Sequence, residues 1–356
     1  MKVLLLGMEG EFADNSPSGI VKYMFSLYSE MGKLPGIKVN KVEYKKVAKR
    51  LPWANHSAFY LQSLFSDFKG YDLLHNPNCN RIFYKPKNAR LVTTVHDLLF
   101  LDRTKALSGS GIKSKLVGIN SGLSDLAATQ GFRLALKSDR IITSFPQSRE
   151  ELIKAAPEYD KDKISVVNLG IDNKFIMQKL SPKSSSKLFK VGYLGSFNFS
   201  KRIHLAIRAV KMMKEEDVKF EMWGIKNIEA ELLDNEIGTD KRIEFMGNEK
   251  QSEKVKIFDS FDVFVHPGVY EGLPVLEALA RGLPVIVSRD ARMTPETRRH
   301  CIVAKDEEEI AEKLSWLKSN GYSEKARKAG MQYARRFTWK NTAEQTVNVY
   351  RKVFDQ

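Results

Sequence analysis

The chain has 356 residues, 42% of them hydrophobic and 28% charged, which is typical of a soluble globular protein with room for two domains. No apolar run approaches the roughly 20 residues of a membrane span, and the N-terminal apolar run ends at Gly7, so we expect a cytoplasmic protein. The net charge of +15, most of it in the first 180 residues, suits nucleic acid, membrane headgroups or phosphorylated substrates. The two cysteines, Cys79 and Cys301, have no metal-ligand spacing, which favours buried free thiols.

Short β-branched runs alternate with helical stretches along the whole chain, which predicts two parallel-sheet α/β domains in tandem. Open parallel sheets bind ligands beyond the carboxyl ends of their strands, so two Rossmann-like domains facing each other would enclose one cleft. The polar stretch Ser181–Lys187 has no core residues and predicts a linker between domains 1–180 and 188–337. The last segment, 338–356, has a helical pattern. The predicted strands are Val3–Leu6, Val39–Tyr44, Leu73–His75, Leu91–Val95, Ile141–Thr143, Ile164–Val167, Val191–Leu194, Phe220–Trp223, Ile243–Met246, Val263–His266 and Val285–Val287.

The loop after the first predicted strand contains Gly7, Gly10 and Gly19 but no Gly-x-Gly-x-x-Gly, so a nicotinamide fingerprint is unsupported. Gly19 precedes a predicted helix and has no side chain to block the approach of a phosphate. An ordinary turn with Ser18 as the helix cap is the alternative.

Histidines follow three predicted strands. His96 ends the run Leu91–Val95, and a neutral imidazole at a strand tip can bond a sugar hydroxyl, although a structural role is the usual alternative. His75 and His266 lie at similar tips and carry the same two interpretations. The Asp160-Lys-Asp162 stretch has the Asp-x-Asp pattern of some metal-binding sites. Because no apolar strand precedes it, we predict a solvated turn instead. No other metal cluster is apparent.

Two adjacent cations, Lys201 and Arg202, follow the first strand of the second domain and precede a helix. Fixed cations can neutralise a diphosphate leaving group, and their contacts strengthen as charge develops. A solvated basic pair is the alternative, but a cation at a helix start opposes the helix dipole. This position favours an anion-binding role.

The segment Val263–Ser288 reads as strand, loop, helix and strand. Glu271 and Glu277 bracket the start of its helix, whose unpaired N–H groups form a site for phosphate. Carboxylates there can accept hydrogen bonds from sugar hydroxyls. The combination predicts a nucleotide-sugar site.

This segment resembles the donor-binding motif of retaining glycosyltransferase family 4, which has the GT-B fold. The match comprises Tyr270–Gly272, Leu273–Ala278 and Gly282–Ile286. The family usually places seven residues between its two glutamates, whereas five intervene here, and Ser196 occupies the position of a family arginine. Lys201 aligns with the family lysine, and Arg202 would supply the missing cation.

The resemblance implies transfer of a hexose, mannose or glucose, from a GDP- or UDP-sugar to a glycan or lipid-linked acceptor. The reaction would retain the anomeric configuration by a front-face route without metal or cofactor. Domain 1–180 would face the acceptor, domain 188–337 would bind the donor, and segment 338–356 would return to the first domain. Glu277 would bind the ribose, and Lys201, Arg202 and Gly19 the diphosphate. The donor sugar would contact His96, Glu271, Gly272, Leu273, Pro274 and Val275, and the catalytic set would be His96, Lys201 and Glu271.

The stretches Lys41–Trp53 and Ala58–Phe68 interleave lysines with aromatic and aliphatic residues. They suit peripheral contact with an anionic membrane or a lipid-phosphate acceptor, or else an ordinary amphipathic helix on the core. Other functions stay open: an epimerase or a phosphorylase on the same fold, and a basic nucleic-acid binder. Against the last, the charge is dispersed and no recognised binding module is present, so we expect no nucleic-acid partner.

Overall fold

The computed structural model describes residues 1–13, 18–47, 52–98, 127–180, 188–197, 199–225 and 231–355. They form two compact units, one comprising Met1–Leu169 with Trp339–Gln356 and the other Gly170–Thr338. The predicted linker at 181–187 lies outside the described residues. The predicted domain limits at 180 and 188 therefore stay predictions.

The N-terminal unit is built on a six-stranded parallel sheet in the order β2-β1-β3-β4-β5-β6. The core strands β3, β4 and β5 are buried along their whole length, as in sheets covered by helices on both faces. Residues 127–135 are also helical. The elements are β1 (Lys2–Met8), α1 (Gly19–Met31), β2 (Lys38–Tyr44), α2 (Pro52–Leu64), β3 (Leu73–Asn76), β4 (Leu91–Val95), β5 (Arg140–Thr143), α3 (Pro146–Ala155) and β6 (Ile164–Val166).

The C-terminal unit contains a second six-stranded parallel sheet in the order β12-β11-β10-β7-β8-β9. The strand order reverses between β7 and β10, which makes the carboxyl ends of these two strands the switch point of the sheet. The elements are α4 (Asn173–Met177), β7 (Phe189–Leu194), α5 (Ile203–Met212), β8 (Val218–Trp223), α6 (Glu231–Ile237), β9 (Ile243–Gly247), α7 (Lys254–Ser260), β10 (Val263–His266), α8 (Leu273–Ala280), β11 (Val285–Ser288), α9 (Pro295–Arg298), β12 (Ile302–Ala304), α10 (Glu307–Asn320) and α11 (Glu324–Ala334).

Two apolar clusters cover the two faces of the second sheet. Val263 and Val265 of β10 enter one cluster, and Phe264 between them enters the other. Successive side chains of a strand point to opposite faces, so β10 is buried on both sides. This explains why its sequence is continuously apolar rather than alternating.

The predicted fold class, an α/β protein with two Rossmann-like parallel sheets, is confirmed. Every predicted strand is present. The strand β12 was missed because it has three residues, is partly exposed and lies at the sheet edge, where it pairs only with β11 among the described strands. Helix α8 begins at Leu273, between Glu271 and Glu277 as predicted. Pro274 is compatible with this start because the first turn of a helix needs no N–H from it.

The last helix, α12 (Trp339–Arg351), belongs to the N-terminal unit. The hydroxyl of Tyr350 lies 2.6 Å from Nδ1 of His75 at the tip of β3, and the Thr342 hydroxyl donates to the carbonyl of Asn168 at 2.8 Å. Both cysteines are free thiols. Among the described helices, none has the length and apolar character needed to cross a membrane.

Candidate functional site

The loops that follow β7 and β10 meet at the switch point of the C-terminal sheet. The N–H of Val269 donates to the carbonyl of Ser200 at 2.8 Å. A Cβ on Gly268 would lie 3.3 Å from that carbonyl oxygen and 3.4 Å from Cα of Lys201. The cationic turn and the loop that leads into α8 are therefore neighbours, at the edge of the sheet where ligands of such folds bind.

Lys201 and Arg202 differ in their surroundings. Arg202 caps α5 with a left-handed backbone, φ 47°, and its guanidinium lies 2.8 and 2.9 Å from the two carboxylate oxygens of Asp290. The pKa of Asp290 is lowered, first by the bond from the Ser288 hydroxyl and then by Arg202. The charge of Arg202 is thus shared with a carboxylate, so its predicted diphosphate contact competes with this ion pair.

The N-terminal tip of α8 offers fewer amide donors than its sequence suggests. Pro274 has no N–H, and the N–H of Val275 donates to the carbonyl of Gly272 at 3.0 Å. This leaves the N–H groups of Gly272 and Leu273 as the donors that the tip can turn toward a phosphate. Pro274 and Val275 were predicted as donor contacts. Pro274 has no N–H to offer and the N–H of Val275 is bonded within the turn, so these two contacts stay predictions.

Glu277 lies within α8 and is only 5% exposed. The ammonium of Lys254, from α7, lies 2.8 Å from Oε1 and 2.7 Å from Oε2 of this carboxylate. Only the contact to Oε1 has the geometry of a hydrogen bond, and Oε2 has no such partner among the described residues. A buried carboxylate with spare acceptor capacity suits a ligand that brings hydroxyl donors.

Glu271 is held by the loop that follows β11. Its Oε2 accepts the N–H of Thr294 at 2.9 Å, and its Oε1 accepts the hydroxyl of Thr297 at 2.7 Å. Burial raises the pKa of Glu271, and the bonds from the two threonines oppose this rise. Both oxygens of Glu271 thus bond the segment that contains Thr294 and Thr297. The predicted contact with the donor sugar would use a second lone pair of one of these oxygens.

His266 ends β10 beneath the same loop. It is 2% exposed, and its Nε2 lies 2.9 Å from the carbonyl of Tyr270, which assigns the proton to Nε2. Burial, and then the charge of Lys201, lower its pKa to about 3. The imidazole is therefore neutral, and it fixes a loop that is two residues shorter than usual in the family.

The remaining predicted site residues, Gly19 and His96, lie in the N-terminal unit. Gly19 is the first residue of α1, and residues 14–17 of its loop are outside the described part of the chain. His96 uses both ring nitrogens internally, with Nδ1 2.9 Å from the Ser144 hydroxyl and Nε2 3.1 Å from the carbonyl of Pro77. Burial lowers its pKa, which favours the neutral imidazole, and its predicted contact with the donor sugar stays a prediction.

Sequence reasoning missed the residues that hold the two glutamates. Lys254 carried no signal beyond a lysine in an apolar helical segment. Thr294 and Thr297 form an ordinary capping pair of α9, and nothing in the sequence connects them to Glu271. Asp160 caps a short 3-10 helix, Lys161–Lys163, and its carboxylate accepts the N–H of Asp162 at 2.9 Å. No group of three metal-ligating side chains occurs among the described residues.

The sequence is similar to a known protein family and to characterised relatives. Residues 189–320 match the family described as "Glycosyl transferases group 1". The chain is 24% identical over 310 residues to O-antigen chain mannosyltransferase B of Escherichia coli, an alignment that covers 80% of this chain and 75% of that protein. It is 31% identical over 130 residues to D-inositol 3-phosphate glycosyltransferase of Corynebacterium urealyticum, or 35% of this chain and 31% of that protein.

Solved structures share the fold over the whole chain. Sucrose-phosphate synthase from Thermosynechococcus elongatus superposes with a TM-score of 0.76 at 16% identity and covers 100% of this chain and 99% of that one. HepE of Anabaena in complex with UDP-glucose superposes with a TM-score of 0.66 at 14% identity, and both chains are covered completely.

Two Rossmann-type units, with neighbouring loops at the switch point of the second, match the GT-B fold. The family match and the aligned relatives indicate a transferase enzyme, a glycosyltransferase. The sequence similarity to the group 1 glycosyltransferases is carried by residues 189–320 of the C-terminal unit. The family resemblance and the enzyme class predicted from the sequence are thereby confirmed.

Proposed function

We propose that the protein transfers a hexose, with retention of the anomeric configuration, from a nucleoside diphosphate sugar to a glycan or lipid-linked acceptor. The observation that carries the proposal is the 2.8 Å bond between Val269 and Ser200, which joins the Lys201 turn to the loop before α8. A diphosphate at this place meets an ammonium and the N-terminal amides of a helix. Both stabilise developing negative charge.

The sugar is proposed from the relatives. The E. coli protein that aligns with most of this chain is a mannosyltransferase, and HepE was solved with UDP-glucose. Mannose and glucose are therefore the sugars to test first, with GDP and UDP as the carriers.

The proposed chemistry needs no nucleophilic carboxylate. The acceptor hydroxyl attacks the anomeric carbon on the face from which the diphosphate leaves, the bond from that carbon to the phosphate oxygen breaks, and the departing oxygen takes the acceptor proton. The protein binds, orients and stabilises charge. Lys201 and the N–H groups of Gly272 and Leu273 receive the diphosphate, Glu277 binds the ribose, and Glu271, His96 and Gly19 keep their predicted donor contacts.

We further propose peripheral contact with an anionic membrane surface through α2. This helix buries Phe59 on the core but leaves Leu61 58% exposed, and Phe65 just beyond its end is 89% exposed. Lys45, also exposed, is tied to α2 because its N–H donates to the Gln62 side chain at 2.8 Å. Apolar side chains beside lysines match an interfacial helix. Residues 48–51, which include two of the predicted basic residues, lie outside the described part of the chain.

The test is a transfer assay with GDP-mannose, UDP-glucose and UDP-galactose against lipid-linked and soluble glycan acceptors, with NMR assignment of the new anomeric configuration. We expect one donor to give an α-linked product with release of the nucleoside diphosphate, and we expect EDTA to leave the rate unchanged. Inversion at the anomeric carbon contradicts the proposed route. Interconversion of the nucleotide sugar without an acceptor identifies an epimerase, and phosphorolysis of a glycan identifies a phosphorylase.

A further inference from the structure

A second buried carboxylate lies close to the proposed ribose site. Glu249 is two residues beyond the end of β9, at the carboxyl edge of the C-terminal sheet, and is 9% exposed. Its Oε2 has no hydrogen-bond partner among the described residues. A buried acceptor without a donor is destabilising, so its retention here points to a donor that arrives with a ligand.

Glu249 belongs to the same group of charges as Lys254 and Glu277. Its pKa is raised mainly by burial, the charge of Lys254 opposes the rise, and the charge of Glu277 adds to it. The Lys254 ammonium lies 2.8 and 2.7 Å from the two oxygens of Glu277. Oε2 of Glu249 is a second acceptor of this group, beside Oε2 of Glu277, without a hydrogen-bond partner among the described residues. A carboxylate oxygen without a partner can accept a hydrogen bond from an N–H or O–H group of a ligand.

An unpartnered donor lies at the same edge. Trp223, the last residue of β8, pairs in register with Gly247 at the end of β9. Its buried Nε1–H has no acceptor among the described residues. Its ring packs on the apolar cluster that contains Val255, the neighbour of Lys254. The edge therefore presents one spare donor and one spare buried acceptor near the proposed ribose carboxylate.

This inference rests on the proposed function, because it takes Glu277 as the ribose ligand. The base is bonded directly to the ribose. If Glu277 binds the ribose, the base must therefore lie near Glu277. The outer edge of guanine carries two donors, N1–H and the 2-amino group, beside the O6 acceptor. The outer edge of uracil carries a single N–H between two carbonyl oxygens, which a carboxylate repels.

We propose that Glu249 reads the base of the donor: its carboxylate accepts N1–H and the 2-amino group of guanine, and the donor is a guanosine diphosphate sugar. Trp223 offers its N–H to O6 of the same edge. The donor and acceptor pattern of this site fits guanine and opposes uracil, and a site built for such bonds discriminates strongly against a base that lacks them.

The first test leaves the protein unchanged and uses titration calorimetry with GDP, IDP, UDP and ADP. Inosine differs from guanosine only by the absence of the 2-amino group, so IDP removes one of the two bonds to Glu249. We expect GDP to bind at least about tenfold more tightly than UDP, and IDP to bind about tenfold more weakly than GDP. Tighter binding of UDP, or equal binding of IDP and GDP, overturns the inference.

The second test uses Glu249→Gln with Glu244→Gln as its matched control. Glu244 lies on β9, and its side chain is 49% exposed in an ion pair with Lys219, so its replacement removes the same charge away from the site. We expect Glu249→Gln to reduce the preference for GDP over UDP by about tenfold and Glu244→Gln to preserve it. An unchanged preference in Glu249→Gln contradicts the assignment.

The two proposals fail in different ways. If UDP binds more tightly than GDP and its binding is lost in Lys201→Ala, the donor site stands and the assignment of guanine is wrong. If no nucleotide binds to the folded protein, the proposed function fails, and the assignment of Glu249 fails with it.

Discussion

The ammonium of Lys254 lies 2.8 Å from Oε1 and 2.7 Å from Oε2 of Glu277, and the two side chains are only 10% and 7% exposed. A buried pair of this kind is strongly interdependent, because removal of one partner leaves an uncompensated charge in the interior. A ribose that binds Glu277 therefore meets a carboxylate that is already fixed in place.

Glu277→Ala should abolish the stabilisation by the correct nucleotide and should also lower the free energy of unfolding by about 3–5 kcal/mol, because Lys254 loses its partner. The measurement is denaturant unfolding with and without nucleotide. A ligand at 100 times its Kd stabilises an intact site by about 2.7 kcal/mol. The control is Lys254→Met combined with Glu277→Leu, which should recover stability but not nucleotide binding. Retained nucleotide stabilisation in either variant would remove Glu277 from the site.

Lys201→Ala should lower kcat by about 100-fold or more, because a cation that faces a leaving diphosphate acts mainly in the transition state. Arg202→Ala should cost less than about tenfold, since Arg202 already shares its charge with Asp290 at 2.8 Å. The measurement is kcat and KM for the donor in both variants. Equal losses would mean that Arg202 leaves Asp290 to bind the diphosphate.

Glu271→Gln and Thr297→Val separate a bracing role from a contact with the donor. Both variants disturb the 2.7 Å bond between the Thr297 hydroxyl and Glu271, so both should lower the free energy of unfolding by about 1–3 kcal/mol. Only Glu271→Gln should lower kcat further, by about tenfold, if the carboxylate also contacts the donor sugar. Equal kcat values at equal stability would assign Glu271 to bracing alone.

Acidification should destabilise the protein between about pH 6.5 and pH 3. Burial lowers the pKa of His75 and of His266 from 6.5 to about 3. The unfolded chain therefore binds protons in this range that the folded chain does not, and stability falls as the pH falls. At pH 5 each histidine should cost about 2 kcal/mol relative to neutral pH. Urea unfolding at pH 7 and pH 5 measures the difference.

The matched variants for this effect are His266→Gln and His204→Gln. His266→Gln removes one buried proton acceptor and should reduce the loss between pH 7 and pH 5 by about half of the two-histidine effect. His204 is partly exposed, so its replacement should leave most of the pH dependence in place. Identical slopes for both variants would show that His266 does not stay neutral in the folded protein.

Membrane contact should depend on the exposed face of α2. Leu61→Ser with Phe65→Ser should reduce binding to vesicles that contain phosphatidylglycerol by about tenfold or more, because burial of such side chains contributes about 1.5–3 kcal/mol each. The control is Trp316→Ser, since Trp316 is 54% exposed on α10 of the other unit. Vesicle sedimentation measures the effect, and equal binding by all variants would place the contact elsewhere.

The strands and their order of appearance could be predicted from the sequence because parallel strands buried on both faces are continuously apolar. Val263–His266 and Leu91–Val95 are examples, and both match the structure within a residue. The strand β12 could not be predicted in this way because it is short and lies at the sheet edge, where partial exposure weakens the pattern.

The position of the candidate site could also be predicted, since Lys201 and Gly272 follow strands whose carboxyl ends share one sheet edge. Their partners could not. The contacts of Arg202 with Asp290 and of Lys254 with Glu277 join residues 88 and 23 positions apart. Such pairs depend on how loops and helices pack across the sheet, and no local pattern records them.

Helix α12 places a constraint on biosynthesis. The ribosome synthesises the described strands of the C-terminal unit before it reaches Trp339. His75 and Met31 of the N-terminal unit are contacted by Tyr350, which is translated only after those strands. The first half of the polypeptide to be translated is therefore the last to complete its interior. A nascent chain stalled before residue 339 should leave this half open to chaperones and proteases while the later half is already closed.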